Sequence, residues 1–240
     1  MPAELPDETV VNVFYLHGFG SSPESGKAAF LRDRLSPFGL ALHAPDFNQP
    51  DFTTLTATRM LAELGAAIAA LPAGPVALIG SSLGGFVAIH AAARQPTTAT
   101  HPITRLVLLA PAVDFASGRD GWLTEAELDD WRRTDRRDVF HYAYGQTLPL
   151  RYALYEDAHG YDAFAARFDV PALAFQGSRD TVVNPDRVKA WAAPRANVIL
   201  RMVDGTHQLQ ENLPAIWQET ATFLGLAGGP VAPFKPADPV

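Results

Sequence analysis

What most constrains this chain is a rhythm of short apolar runs alternating with helical stretches. Residues 11–17 (VNVFYLH) form a nearly continuous apolar run rich in β-branched and aromatic side chains, which suits a strand buried on both faces. Comparable runs recur at about 40–44, 76–79, 103–109, 170–176 and 198–203. Between them lie helical segments at about 25–35, 53–71, 83–94, 185–191 and 212–224. In the second of these, Leu61, Leu64, Ile68 and Leu71 recur at spacings of three and four, and Pro72-Ala73-Gly74-Pro75 breaks the pattern. The stretch 83–94 is mostly apolar and therefore predicts a central helix. Strands separated by helices pair in parallel through right-handed crossovers, with helices on both faces and ligands at the carboxyl ends of the strands. The expectation is an α/β fold with a mostly parallel, doubly wound sheet of about six strands.

One interval departs from this rhythm. Over about 112–168 the aromatic residues Trp122, Trp131, Tyr142, Tyr144, Tyr152 and Tyr155 are scattered among charges with no clear strand run. This predicts a short helical cap inserted in the sheet framework, its aromatics mostly packing the cap onto the sheet. Residues 227–240 (AGGPVAPFKPADPV) are too rich in Gly and Pro for the core and read as a surface tail. Residues 1–226 then form a single domain, a size that one continuous core can serve when 48% of the residues are hydrophobic and 19% charged.

Charge and composition narrow the function classes. A net charge of -7 repels phosphate backbones and anionic membrane surfaces on average, so nucleic acid and membrane are not expected partners. With no cysteine in the sequence, thiolate catalysis, disulfides and cysteine-ligated metals are excluded. No secretory signal is visible in MPAELPDETV and no run nears the ~18 apolar residues of a membrane span, so a cytoplasmic location is expected. Nothing in the sequence fixes an oligomeric state.

Gly80-Ser81-Ser82-Leu83-Gly84 matches G-x-S-x-G, and its spacing selects Ser82 rather than Ser81. A random chain of this length matches about 7% of the time, given ordinary Gly and Ser frequencies. Context supplies the weight, because the motif lies between a predicted strand and a predicted helix. A sharp turn there needs small residues on either side and lifts the serine above the sheet edge. The helix from Leu83 then aims backbone N–H groups and a positive dipole end at a reacting oxygen.

A serine hydroxyl attacks a carbonyl at neutral pH only with a base to take its proton and a carboxylate to orient that base. His207, in Asp204-Gly205-Thr206-His207-Gln208 after the last predicted strand, is the candidate base. Gln176-Gly177-Ser178-Arg179-Asp180 follows the preceding strand and supplies Asp180 as the favoured acid, with Asp204 and Asp114 as rivals. Backbone N–H groups of Leu83 and Phe19 are the candidate oxyanion hole, the latter in the loop His17-Gly18-Phe19-Gly20 after the first strand. His43, His90, His101, His141 and His159 read as structural residues in a strand, an apolar helix, or polar loops and the cap. No metal-ligand spacing such as H-E-x-x-H is present.

Taken in order, these motifs make the chain resemble the α/β-hydrolases. The stretch Tyr15-Leu16-His17-Gly18-Phe19-Gly20-Ser21-Ser22-Pro23, then Ser25 and Lys27-Ala28, with Gly80-Ser81-Ser82-Leu83-Gly84-Gly85, is similar to the small bacterial YqiA-type esterases. The resemblance spans about 11–224 and implies a catalytic Ser, Asp and His at Ser82, Asp180 and His207. It implies an esterase that acts on a small or medium-sized ester and needs no cofactor. The same residues would serve a thioesterase or an acyltransferase, and a catalytically idle binding scaffold is the reading from another class.

Overall fold

The computed structural model describes residues 12–115 and 123–226. Trp122, the N-terminal stretch read for a signal and the tail 227–240 lie outside the described residues. In chain order the strands are β1 (Asn12–Leu16), β2 (Leu42–His43), β3 (Val76–Ser81), β4 (Ile103–Leu109), β5 (Arg137–His141), β6 (Gln146–Leu150), β7 (Ala172–Gly177) and β8 (Val198–Val203). The helices are α1 (Gly26–Leu35), α2 (Ala57–Ala69), α3 (Leu83–Arg94), α4 (Glu125–Thr134), α5 (Ala153–Ala158), α6 (Pro185–Ala192) and α7 (Leu213–Phe223).

Six strands form one parallel sheet in the order β2-β1-β3-β4-β7-β8. The apolar runs are continuous because both faces are covered. In β1, Val13 and Tyr15 join a core with Leu31 and Leu35 of α1 and Ile216 and Trp217 of α7. Phe14 and Leu16 face the other way, into a core with Met60 and Leu64 of α2, Phe86 of α3 and Trp191 of α6. The α/β-hydrolase expectation of about six parallel strands with helices on both faces is met.

The order reverses between β1 and β3, since the chain runs outward from β1 to β2 and then returns to β1's other side. The loops leaving the carboxyl ends of β1 and β3 therefore diverge around a crevice, the usual ligand position in such sheets. Both candidate oxyanion donors and Ser82 belong to those two loops.

The structure moves some boundaries. Strand β2 keeps only two residues, as Pro45 follows closely and it is an edge strand paired on one side. Helix α2 starts at Ala57, where the Thr56 hydroxyl caps it by accepting from Arg59 N–H at 3.1 Å. Its most buried residues are Ala57, Met60 and Leu64, whereas Leu61, Ile68 and Leu71 sit half-buried at the edge of that face.

The cap is not purely helical, a correction to the sequence reading. Between α4 and α5 the chain makes an antiparallel hairpin of β5 and β6. Arg137, Val139 and His141 turn inward while Asp138 and Phe140 are exposed, a half-buried alternation too short to stand out in the sequence. Pro149 disguises its second strand, and is tolerated because a two-stranded sheet is all edge. Trp131 of α4 is fully buried and donates from Nε1 to Leu150 O at 2.9 Å, and Tyr155 is buried too. Tyr142 and Tyr144 are instead exposed at the hairpin turn. No helix among the described residues is long and apolar enough to cross a membrane.

Candidate active site

Between β3 and α3 the backbone turns so sharply that Ser82 takes φ 53°, ψ -116°. A non-glycine residue held in this left-handed region costs about 1–3 kcal/mol, which the surrounding packing must over-determine. The glycines permit the turn. A Cβ on Gly80 would overlap the Gly84 carbonyl, a Cβ on Gly84 would overlap the Leu16 carbonyl, and Gly85 packs against Pro111. Ser82 N–H donates to Leu109 O at 2.9 Å, and Ser82 O accepts from Gly85 N–H and Ala112 N–H at 2.9 and 3.1 Å. The backbone is thus tied to β4 on one side and α3 on the other. Ser81, the alternative serine, is buried in β3.

The loop from β8 to α7 brings His207 to this point. His207 Nε2 lies 3.1 Å from Ser82 Oγ, and His207 Nδ1 lies 2.8 Å from Asp180 Oδ2. Asp180 follows β7 in a tight turn, where its Oδ1 accepts from Val182 and Val183 N–H at 2.8 Å each. Its Oδ2 also accepts from Gln176 Nε2 at 2.9 Å. Burial of the carboxyl raises its pKa, but the His207 hydrogen bond and charge with the two backbone N–H groups outweigh this and hold it below the ordinary aspartate value. An ionised Asp180 requires the Nδ1–H tautomer of His207, leaving Nε2 as acceptor for the Ser82 proton.

The two rival acids are engaged elsewhere. Asp204 pairs with Arg179 at 2.8 Å on the surface. Asp114, in the loop after β4, accepts from Arg187 through both carboxylate oxygens, with Arg187 Nη2 at 3.0 Å from Oδ1.

Loop 17–21 closes the other side of the site. A Cβ on Gly18 would come 3.2 Å from Ser81 O and 3.3 Å from Ser82 Cβ, so a larger residue there would press on the turn that carries Ser82. His17 anchors the loop: Nδ1–H donates to Gly18 O at 2.9 Å, while Nε2 accepts from Phe47 N–H at 3.1 Å. Phe19 and Leu83 line, together with Ser82, Val113, Val183 and Arg187, an apolar cavity of about 120 Å³. Leu83 is the first residue of α3, where the backbone N–H has no partner within the helix.

Three features escaped the sequence reading. Gln176 braces Asp180, Arg187 binds Asp114, and Asn48 joins the loop after β1 to the cap. Asn48 Nδ2 donates to Ser21 O at 2.9 Å and Asp46 Oδ1 at 2.8 Å, and its Oδ1 accepts from His141 Nε2 at 3.0 Å. His141, read as a polar cap residue, is fully buried and stacks on Tyr144. The Gln176 signal was present, four residues before the favoured acid at a strand end. The other pairs span 73 and 93 residues and leave no local pattern. Among the described residues no group of three or more His, Asp or Glu side chains is placed to hold a metal ion.

A parallel sheet whose strand order reverses between β1 and β3, with a positive-φ serine at the crevice and an inserted cap, is the α/β-hydrolase fold. The chain belongs to the uncharacterised protein family UPF0227, whose model matches residues 12–224, in keeping with the resemblance to YqiA-type esterases. Solved structures share the fold. Est1E from Butyrivibrio proteoclasticus, with ferulic acid bound, superposes with a TM-score of 0.74 at 19% identity, over 91% of this chain and 92% of that one. Alpha/beta hydrolase domain-containing protein 10 from mouse gives 0.72 at 17% identity over 92% of each chain. The esterase EaEST from Exiguobacterium antarcticum gives 0.67 at 16% identity, over 91% and 93%. No curated protein matches the chain in sequence.

Proposed function

We propose that the chain is a serine hydrolase that cleaves a carboxylic ester of small or medium size through an acyl-enzyme. The hydrogen-bonded series Ser82 Oγ, His207 and Asp180, closing at 3.1 and 2.8 Å at the strand ends, carries this reading. Ser82 Oγ attacks the carbonyl carbon as its proton passes to His207 Nε2, and the imidazolium is stabilised by Asp180. The oxyanion forms beside the backbone N–H groups of Leu83 and Phe19 and gains from the positive end of α3. His207 then returns the proton to the departing alcohol, leaving the acyl group on Ser82. Water gives up a proton to the same nitrogen and attacks the acyl carbon, and as the bond to Ser82 breaks His207 passes that proton to Ser82 Oγ, releasing the acid with the hydroxyl restored. No step in this sequence calls on a cofactor.

The test is hydrolysis of p-nitrophenyl acetate by wild type and Ser82→Ala, with fluorophosphonate labelling alongside. Ser82→Ala should lose at least about a thousandfold in kcat and all labelling at position 82. An equal rate in the two proteins would refute the assignment, and absence of both turnover and labelling in wild type would favour an idle binding scaffold.

A further inference from the structure

Among the described residues the cavity beside Ser82 is mostly apolar, and its polar lining apart from Ser82 gathers where Asp114 meets the start of α6. There Asn184 caps the helix, its Oδ1 accepting from Asp186 N–H at 2.9 Å, and Arg187 follows three residues later. The Arg187 guanidinium is held on two sides. Its Nε and Nη2 donate to the nearly buried Asp114 carboxylate, and its face lies over the Phe164 ring at 4.7 Å. Among the described residues neither Arg187 Nη1 nor Asn184 Nδ2 has a hydrogen-bond partner, and both residues line the cavity. The polar wall thus offers spare donors, while Asp114, the only carboxylate that lines it among the described residues, is committed to Arg187. A fixed guanidinium with a free edge is suited to an acceptor, above all a carboxylate.

Which half of an ester enters is set by His207. The departing alcohol must lie against His207 Nε2 to receive its proton, and His207 does not line this cavity, whereas Ser82, Leu83 and Phe19 do. The acyl chain therefore occupies it. We propose that Arg187, locked by Asp114 and assisted by Asn184, selects acyl groups ending in a hydrogen-bond acceptor, with a terminal carboxylate preferred to a neutral carbonyl. This rests on the serine-hydrolase reading above and names the substrate class for it: short half-esters of dicarboxylic acids.

The experiment compares ethyl esters of matched shape in a pH-stat. Monoethyl succinate, glutarate and adipate are set against the corresponding methyl ketones and against branched alkyl isosteres. At the best chain length, wild type should favour the carboxylate over the alkyl isostere by tenfold or more in kcat/KM, with the ketone between them. Arg187→Gln, and the pair Arg187→Gln with Asp114→Asn that leaves no lone buried charge, should bring that ratio to about one. A ratio measured on one preparation does not depend on the fraction of protein folded. A preference for the alkyl isostere at all three lengths overturns the proposal, as does a ratio unchanged in both variants. So does failure to turn over any of the carboxylates by an enzyme that hydrolyses p-nitrophenyl acetate. Ser82→Ala hydrolysing these esters as fast as wild type would instead defeat the serine-hydrolase reading itself.

Discussion

Asp180 is surrounded by donors only: Val182 N–H, Val183 N–H, Gln176 Nε2 and His207 Nδ1. A carboxylate satisfies all four at once, whereas an amide must turn its NH2 group against one pair of them. In Asp180→Asn the NH2 either opposes the two backbone N–H groups or drives His207 into the tautomer whose Nε2 carries the proton. In the first case the turn that holds the side chain against His207 is disrupted, and in the second the base is lost. Hydrolysis of p-nitrophenyl acetate should fall by on the order of 10³–10⁴ in kcat with little change in KM, a pattern that steady-state kinetics checks directly. These residues could be read from the sequence because each of Ser82, Asp180 and His207 lies just beyond an apolar strand run. What the sequence did not rank was the acids by their partners, since Arg187 lies 73 residues from Asp114 and only the fold brings them together.

At the scale of elements, α3 shows why its position was legible and its one oddity was not. Eight consecutive residues from Leu83 to His90 are buried, so the helix is enclosed on all sides, and all but His90 are apolar or glycine. His90 Nδ1 accepts from Arg94 Nη1 at 3.0 Å, its ring meets Phe86 and Tyr161 edge-on, and its Nε2 has no partner. Burial, with the neighbouring Arg94 charge, pushes its pKa down to about 4 against the ordinary 6.5. Between these values the unfolded chain takes up a proton that the folded chain refuses, so stability is full above about 6.5 and drains away as pH falls toward 4. The loss attributable to this one group reaches on the order of 3 kcal/mol. His90→Leu should remove that part of the slope, so urea midpoints of variant and wild type converge or cross between pH 7 and pH 4.5. Parallel curves at both pH values would assign the acid sensitivity to other groups. The hairpin β5–β6 represents the opposite case: a short alternation of inward residues and a turn glycine, Gly145, are the two marks it leaves in the sequence.

Over the whole molecule, the sheet supplies a rigid platform, and the loops at its carboxyl ends depend on a few long-range ties for their relative positions. The side-chain hydrogen bonds between the loop after β1 and the cap run through one amide. Asn48 donates to Ser21 O on one side and accepts from the buried His141 on the other, while Ala143 N–H reaches Gly20 O at 3.1 Å beside it. Phe19 packs at a tilt against Phe52, which meets His141 edge-on, so ring contacts also link the loop that bears the candidate oxyanion donor to the cap. Asn48→Ala leaves a buried N–H of His141 and a carbonyl of the loop without partners, at a cost of about 1–3 kcal/mol for each such group. That cost falls where contacts are few. Amides of residues 137–150 should therefore lose protection against hydrogen exchange while those of β3, β4 and β7 keep theirs. Asn48→Asp treats the two sides of the tie differently: its carboxylate still accepts from His141 but offers nothing to Ser21 O and is repelled by Asp46 Oδ1 on the loop side. In that variant the hairpin should stay protected while kcat drops, because the loop bearing Phe19 has lost its Asn48 hydrogen bond and the cap has kept its own. Faster exchange spread evenly through the sheet, or a hairpin unchanged in Asn48→Ala, would mean that Asn48 supports the fold generally rather than coupling cap to site.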